Sequence, residues 1–216
     1  FQVYGLTETA GAITILMPED HDPEKGKLRS CGKALNSVEI KVVDDEGNEV
    51  KTGDIGEVIS KSPLNMKGYW NRPDATEEAI KDGWFYSGDA GFFDDEGYLY
   101  IHDRVKDMIV SGGENIYPAE VENALMSHPE IADAAVIGVP DDKWGDSVKG
   151  FVVLQPDSSL DETEIISYSR TQIAGYKCPK TINFIEALPR NPSGKILRRE
   201  LREPFWEGKD RMVSGN

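Results

Sequence analysis

Hydrophobic and polar residues alternate over short segments in the first half of the chain, which is typical of half-buried β-strands. The alternation is clearest over Val38–Val42 and resumes over Glu57–Ser60, after a break at Gly56. The tetrapeptide Asp-Asp-Glu-Gly occurs twice, at 44–47 and 94–97, each time between apolar residues. Because acidic residues followed by glycine favour a tight reversal, both copies predict hairpin turns.

A short helix is predicted between these strands. Asp74 is placed to cap it, Glu77 to complete the capping box, and Ala79 and Ile80 to form its inner face. The pattern up to Asp103 therefore predicts a β-rich piece.

After Arg104 the pattern changes to alternating helices and strands. The predicted elements are a helix from Pro118 with Val121, Ala124 and Leu125 inward, strands over 134–139 and 150–154, a helix capped by Asp161 with Glu164 at the box position, a strand over 181–185, and a closing helix over 197–206 that ends near Pro204. No low-complexity linker separates the two pieces, so a tight hinge is expected at the Asp103–Arg104 boundary.

The composition narrows the class of protein. The 216 residues carry 39 acidic side chains against 24 Lys and Arg, a formal net charge of −15. This balance excludes a protein that tracks nucleic-acid phosphates, but it permits a local site for a small anion. With 4 Trp, 8 Tyr and 7 Phe, the chain is not a disordered acidic segment.

Cysteine usage and apolar runs indicate the compartment. Cys31 and Cys178 lie far apart without a CxxC pair, which favours the reducing cytoplasm over a disulfide scaffold. No apolar run approaches the roughly 18 residues that a transmembrane segment needs, although a peripheral membrane contact stays open. The chain does not begin with Met, and Phe1–Tyr4 has the pattern of a strand interior, so a piece of a longer protein is expected. The sequence does not indicate an oligomeric state.

Five short motifs occur in a fixed order. They are YGLTE at 4–8, YSGD at 86–89, DRVKD at 103–107, SGGEN at 111–115 and PSGK at 192–195. Each one alone also fits an ordinary turn, but together they resemble the adenylate-forming (AMP-binding) superfamily, specifically the C-terminal portion of its acyl-CoA synthetases or fatty-acid–CoA ligases. The resemblance covers essentially the whole chain.

The resemblance implies a fold and an activity. The implied fold is α+β, with residues 1–103 as the β-rich, distorted barrel-like end of the large AMP-binding domain and residues 104–216 as a small mobile C-terminal domain. The implied enzyme is an acid–thiol ligase that makes an acyl adenylate from a small-molecule carboxylic acid and ATP with Mg²⁺, releasing pyrophosphate, and then passes the acyl group to coenzyme A. The segment 112–122 favours a medium- or long-chain fatty acid.

Several nucleotide contacts are implied in the first piece. Tyr4 would lie against adenine, with Gly5 beside it, and Thr7 would contact the α-phosphate. Glu8 would hold Mg²⁺, a hard cation that prefers oxygen ligands. The ribose hydroxyls would be bound by two further residues, Asp89 and Arg104.

The second piece is implied to contain the hinge and the coenzyme A contacts. The hinge falls at Lys106, with Asp107 as the competing candidate. Gly112 and Gly113 would line the pantetheine tunnel. The remaining implied coenzyme A residues are Trp144 and Tyr176 around its adenine and Lys177 and Lys180 near its phosphates, while Cys178 replaces an arginine found in some relatives. For the two aromatics, packing on their own domain is an equal alternative.

Lys195 is implied to be the main catalytic residue, assisted by Thr7 and Glu8. Its ammonium would stabilise negative charge on the carboxylate and α-phosphate during adenylation. A GxxxxGK phosphate loop is excluded because Pro189 and Ile196 stand at the positions that need Gly and Ser or Thr.

Two alternatives remain. One is a peptide-synthetase-type adenylation domain that loads a carrier protein, and the other is a non-catalytic nucleotide-binding module. The family's phosphate loop and most of its acyl pocket would lie before Phe1, so we expect the 216 residues alone to show little activity. The three histidines lack metal spacing.

Overall fold

The computed structural model describes residues 1–207 and contains both helices and strands. Contacts within the chain divide it into two compact units, Phe1–Lys106 and the residues from Asp107 onward. A β-rich first unit followed by an α+β second unit confirms the predicted fold class. The predicted domain boundary, after Asp103, lies a few residues before this division, and the functional assignment of each unit stays a prediction.

The first unit begins with a three-stranded antiparallel sheet. Its strands are β1 (Gln2–Leu6), β2 (Gly11–Leu16) and β3 (Lys33–Ala34), with β2 in the centre. A Cβ at Gly5 would lie 2.0 Å from the carbonyl oxygen of Gly11. Because no side chain fits at that distance, glycine is required at this position, where the register of β1 against β2 shifts.

A five-stranded antiparallel sheet completes the first unit. Its strands are β4 (Glu39–Val43), β5 (Gly56–Lys61), β6 (Ile80–Lys81), β7 (Trp84–Phe93) and β8 (Leu99–Arg104), in the order β4-β5-β7-β6 with β8 also paired to β7. Val42, Val58 and Leu99 form a buried core, and Tyr4 of β1 packs against it. Each such aliphatic side chain contributes about 1.5–3 kcal/mol on burial.

Both acidic turns have the predicted hairpin geometry. In each copy the first aspartate and the glycine donate backbone hydrogen bonds within the turn, at 2.9–3.0 Å. Gly47 and Gly97 adopt φ values of +83° and +78°, which glycine tolerates without strain. The second turn joins β7 directly to β8.

The helix α1 (Pro73–Ala79) lies where it was predicted but begins differently. Arg72 is at the N-cap position, and no side chain caps the helix. The Asp74 carboxylate instead accepts a hydrogen bond from Arg72 Nη2 at 2.8 Å. The predicted capping by Asp74 is therefore wrong, because Pro73 already occupies the first turn and Asp74 is held by its neighbour.

The second unit is a mixed sheet with helices on both faces. Its strands are β9 (Ile109–Ser111), β10 (Glu114–Ile116), β11 (Ile131–Asp141), β12 (Gly145–Leu154) and β13 (Thr181–Phe184), in the order β10-β9-β12-β11 with β13 parallel to β12. Its helices are α2 (Pro118–Met126), α3 (Glu162–Gln172) and α4 (Arg198–Trp206).

Alternate residues of β11 supply the two cores. Ala134 and Val136 pack in one cluster with α2 and α3, whereas Ala135 and Ile137 pack in the other with Leu201 of α4. This alternation follows from the two-residue period of a strand and sandwiches the sheet between helical layers.

The predicted helix starts in this unit are confirmed. Pro118 is the first residue of α2. At α3, Asp161 Oδ1 accepts from the Glu164 amide at 2.8 Å, and Glu164 Oε2 accepts from the Asp161 amide at 3.0 Å. This is the reciprocal capping box.

The last helix spans Arg198–Trp206, in agreement with the predicted range of 197–206, and Pro204 lies inside it near its C-terminal end. Phe205 packs against the core cluster that contains Ala135, Ile137 and Leu201. Trp206 Nε1 donates to the carbonyl oxygen of Gly138 at 3.0 Å. These tertiary contacts carry the helix past the proline. None of the helices in residues 1–207 has the length and apolarity to cross a bilayer.

Candidate active site

A buried carboxylate in the first unit connects three strands. Tyr4 Oη on β1 donates to Asp89 Oδ2 on β7 at 2.6 Å. Arg104 Nε on β8 lies 2.8 Å from Asp89 Oδ1, and the two residues are register partners across β7 and β8. Asp89 is 6 % exposed. The strands therefore hold a charged group at a fixed position and orientation.

The electrostatics of this cluster keep Tyr4 protonated. Burial, followed by the charge of Asp89 and the hydrogen bond to it, raises the pKa of Tyr4 far above its usual range. The phenol is consequently a donor at neutral pH. A carboxylate oxygen has two lone pairs, so Asp89 can accept further donors from a ligand.

The irregular segment of β7 just before Asp89 is held by contacts with β5. Ser87 Oγ donates to the carbonyl oxygen of Val58 at 2.6 Å and accepts from the Asp89 amide at 3.0 Å. The Gly88 amide donates to Glu57 Oε1 at 2.8 Å, and burial raises the pKa of the Glu57 carboxyl. The motif analysis missed the role of Glu57, because its contact spans 31 positions in the sequence.

Thr7 and Glu8 lie in a short 3-10 turn that follows β1. Thr9, at its end, fixes the turn: Thr9 Oγ1 accepts from the Leu6 amide at 2.9 Å and donates to the Gly11 carbonyl at 2.7 Å. Thr7 is exposed and Glu8 is partly exposed. The turn thus presents one hydroxyl and one carboxylate at the surface of this unit.

A distant loop holds Glu8 at two points. Its carbonyl oxygen accepts from the Met66 amide at 2.7 Å. Its carboxylate oxygen Oε1 accepts from Tyr69 Oη at 2.9 Å. Burial and the hydrogen bond to Glu8 raise the pKa of Tyr69. Sequence reasoning missed Tyr69, and its Gly-Tyr-Trp surroundings carry no signal that points to Glu8.

The two hinge candidates have different surroundings. Asp107 is 8 % exposed and lies 3.3 Å from Arg202 Nη2 of α4, within the second unit. Lys106 is exposed and is the last residue of the first unit. Asp107 is therefore fixed to the body of its unit.

Gly112 and Trp144 form one structural pair in the second unit. The Gly112 amide donates to the Trp144 carbonyl at 2.8 Å, and a Cβ at Gly112 would lie 2.8 Å from Cε3 of the indole. Gly112 and Gly113 both have positive φ, +63° and +85°. The indole is 42 % exposed, so it packs on the glycine loop and also faces solvent.

The other candidate coenzyme A residues differ in solvent exposure and in whether their charge is already paired. Tyr176 is 52 % exposed and Cys178 is buried. Lys177 Nζ is bound to Glu120 at 2.7 and 2.8 Å, so this cation already has a partner. Lys180 Nζ lies 3.5 Å from Asp141.

Lys195 lies in a tight loop, next to Ile196, which closes the loop by pairing with Arg190. Its amide donates to Asn191 Oδ1 at 2.9 Å, and its carbonyl accepts from the Asn191 amide at 2.9 Å. Within residues 1–207, its ammonium makes no ion pair. The structure thus fixes the backbone of Lys195 and leaves its charge available to a ligand.

Two family models match the chain. The model described as the AMP-binding enzyme matches residues 1–70, and the model described as the AMP-binding enzyme C-terminal domain matches residues 120–195. The chain belongs to this family of AMP-binding, adenylate-forming enzymes.

Particular relatives refine the similarity. A fatty acid–[acyl-carrier-protein] ligase, ScoC, of Streptomyces coeruleorubidus is 45 % identical over 99 % of this chain and 41 % of its own length. The long-chain-fatty-acid–CoA ligase FadD13 of Mycobacterium tuberculosis is 47 % identical over 94 % of this chain and 40 % of its own length.

A solved structure with the same fold is o-succinylbenzoate CoA synthetase (MenE) from Bacillus subtilis. In complex with its acyl-adenylate intermediate it superimposes with a TM-score of 0.85, at 44 % identity, over 93 % of this chain and 40 % of its own. The same enzyme is known in complex with ATP and a magnesium ion, with a TM-score of 0.83 and 43 % identity over the same shares of the two chains. The chain thus spans about 40 % of the length of these relatives.

Proposed function

We propose that this chain is the C-terminal portion of an ATP-dependent acid–thiol ligase, which forms an acyl adenylate and then a thioester. The observation that carries the proposal is the buried Asp89, held by Tyr4 and Arg104. A pre-oriented carboxylate beside a guanidinium fork suits the two hydroxyls of a ribose. The ligase names of the relatives support the same activity.

The nucleotide would be held by the first unit. Asp89 would accept from the ribose hydroxyls, with Arg104 bridging to the same sugar. Tyr4 and Gly5 would lie against the adenine, and the exposed hydroxyl of Thr7 would bind the α-phosphate. Each of these groups belongs to β1, β7, β8 or the turn that follows β1.

A magnesium ion would be held by Glu8 together with the phosphates of the nucleotide. Residues 1–207 contain no cluster of three or more side chains that could bind a metal by themselves. Mg²⁺ is commonly bound through one or two carboxylates plus substrate phosphates, so a lone Glu8 fits this mode. When bound, the ion would offset the charge of the leaving pyrophosphate. Glu8 contributes a carboxylate that Tyr69 orients.

Lys195 would stabilise the charge that develops on the acyl carboxylate and α-phosphate. We propose Lys106 as the hinge between the adenylation and thioester-forming states, because a hinge must absorb a large backbone change and Asp107 is anchored by Arg202.

Coenzyme A is the proposed thiol, and its pantetheine arm would pass the Gly112–Gly113 loop. Trp144 and Tyr176 present enough exposed ring surface to contact its adenine. For the acid, the fatty-acid names of two relatives support a medium- or long-chain fatty acid. The free Cys31 and Cys178 suit the cytoplasm, which is the proposed location.

A carrier protein is the second candidate for the thiol. It is favoured by one observation, the similarity over 99 % of the chain to a ligase whose named acceptor is an acyl carrier protein. Incubating the protein, ATP and acid with coenzyme A or with a phosphopantetheinylated carrier separates the two thiols. Thioester formed on the carrier alone would contradict the coenzyme A assignment.

The proposed activity predicts acid-dependent exchange of pyrophosphate into ATP by the full-length protein that carries this chain. A panel of fatty and aromatic acids, assayed with and without Mg²⁺, identifies the substrate class. The 216-residue chain alone should give little exchange, because it lacks about 60 % of the length of its relatives. Strong exchange by the chain alone, or none by the full-length protein with any acid, would contradict the proposal.

A further inference from the structure

The loop that contains Lys195 is held by several hydrogen bonds within the loop itself. It closes as a hairpin between Arg190 and Ile196, and the Gly194 amide donates to the Asn191 carbonyl at 2.9 Å. Asn191 Oδ1 accepts three hydrogen bonds, from the amide and hydroxyl of Ser193 and the amide of Lys195, at 2.8–3.0 Å. The backbone from which the Lys195 side chain extends is therefore fixed within the loop.

One guanidinium joins this loop to the sheet. Arg190 Nη1 donates to the carbonyl oxygen of Gly194 at 2.7 Å, and Nη2 donates to Asp133 Oδ2 at 2.6 Å. Asp133 belongs to β11, which is paired along its length with β12. Because the guanidinium is planar and rigid, its two bonds fix the tip of the loop relative to the strand.

This arrangement contributes little to overall stability. The side chains of Arg190 and Asp133 are 41 % and 30 % exposed, and ion pairs at such exposure are screened by solvent. The connection nevertheless ends one residue before Lys195. A positional role for Arg190 is therefore separable from a role in folding.

We propose that Arg190, braced by Asp133, is a positioning residue that aims Lys195 during adenylation. The inference rests on the proposed function of Lys195. Arg190 acts through the loop backbone and need not touch the substrate. Small displacements of a group that stabilises a transition state cause large losses of rate, so weakening the brace should slow adenylation while leaving thioester formation intact.

The test measures both half-reactions in the full-length protein. For Arg190→Ala we expect acid-dependent ATP–pyrophosphate exchange to fall by about tenfold or more, a loss of at least about 1.4 kcal/mol of transition-state stabilisation. Thioester formation from preformed acyl adenylate should stay within about twofold. Asp133→Asn, which keeps the shape of the brace partner, should lower exchange in the same half-reaction, and it replaces Arg190→Ala if that variant does not fold.

A double variant separates positioning from a general structural effect. If Arg190 acts through Lys195, Arg190→Ala should cause no further loss of exchange in a Lys195→Ala background. The matched control is Arg170→Ala on the exposed surface of α3, which should change neither half-reaction.

Three results would overturn the inference: unchanged exchange in Arg190→Ala, equal losses in both half-reactions, or the same fold loss with and without Lys195. If Lys195→Ala itself leaves exchange unchanged, the proposed function fails and this inference with it. If only Lys195→Ala lowers exchange, the positioning role alone is wrong.

Discussion

At the scale of single residues, Asp89 shows how a charge can be buried at low cost. A carboxylate removed from water is expensive unless it is hydrogen-bonded and paired. Tyr4 and Arg104 supply those partners from two other strands. Since the partners are in place before any ligand arrives, Asp89 needs no rearrangement to accept ribose hydroxyls, which lowers the cost of binding.

The Tyr4–Asp89 bond gives a prediction about stability. Tyr4→Phe removes one hydrogen bond to a buried charged group and should lower the free energy of unfolding by about 1.5–3 kcal/mol at pH 7. Urea unfolding of the 216-residue chain measures the difference. An unchanged midpoint would contradict the burial and pairing of Asp89.

The same variant predicts a pH dependence. Folding raises the pKa of Tyr4 above its unfolded value of about 10. Its contribution is therefore full below pH 10 and is lost as the pH rises above 10 towards the folded pKa. The difference in free energy of unfolding between the wild type and Tyr4→Phe should shrink in that pH window. The other tyrosines are present in both proteins, so their ionisation does not affect this difference. An advantage that grew above pH 10 would contradict the direction of this shift.

The sequence motifs predicted the candidate site residues but not the residues that hold them in position by hydrogen bonds. Asp89 and Lys195 stand in short motifs whose order carries the family resemblance. Glu57 contacts Gly88 of the 86–89 motif across 31 positions, and Tyr69 contacts Glu8 of the 4–8 motif across 61 positions. A contact between distant positions depends on strand order and register, which single-sequence patterns do not encode.

At the scale of elements, local chemistry predicts helix starts when the deciding contacts are local. The capping box of α3 involves two residues three positions apart and was predicted correctly. At α1, the Asp74 carboxylate is bound by Arg72, at the N-cap position, and does not cap the helix. At α4, core packing by Phe205 and a bond from Trp206 overrule the stop signal of Pro204.

The capping box of α3 predicts a measurable stability difference. Asp161→Ala removes the acceptor for the Glu164 amide and should lower the free energy of unfolding by about 0.5–2 kcal/mol. Asp161→Asn is the matched control, because asparagine caps nearly as well as aspartate. Urea midpoints of the three chains give the comparison, and equal losses in both variants would contradict the capping role.

At the scale of the whole molecule, the net charge of −15 is a poorer guide to the binding of anionic ligands than the positions of a few cations. Several cations are neutralised inside their own unit, as Lys177 is by Glu120 and Arg198 by Glu122. Lys195 makes no ion pair among residues 1–207. The proposed contact of the Lys195 ammonium with an anionic ligand therefore does not require breaking an ion pair among residues 1–207.

The two units divide the proposed chemistry. The first contains the candidate nucleotide residues, and the second contains Lys195 and the candidate coenzyme A residues. A ligase that forms an adenylate and then a thioester needs the lysine in one step and not in the other. Because Lys195 belongs to a different unit from the candidate nucleotide residues, the proposed domain rotation would be sufficient to remove it.

The most direct test of the proposed role of this chain is the rate of each half-reaction in Lys195→Ala, measured in the full-length protein. The predicted result is a loss of adenylation of at least about a hundredfold, typical of removing one group that stabilises transition-state charge. Thioester formation from preformed acyl adenylate should stay within about twofold. Equal losses in the two half-reactions, or no loss of adenylation, would contradict the assignment of Lys195 as the adenylating lysine.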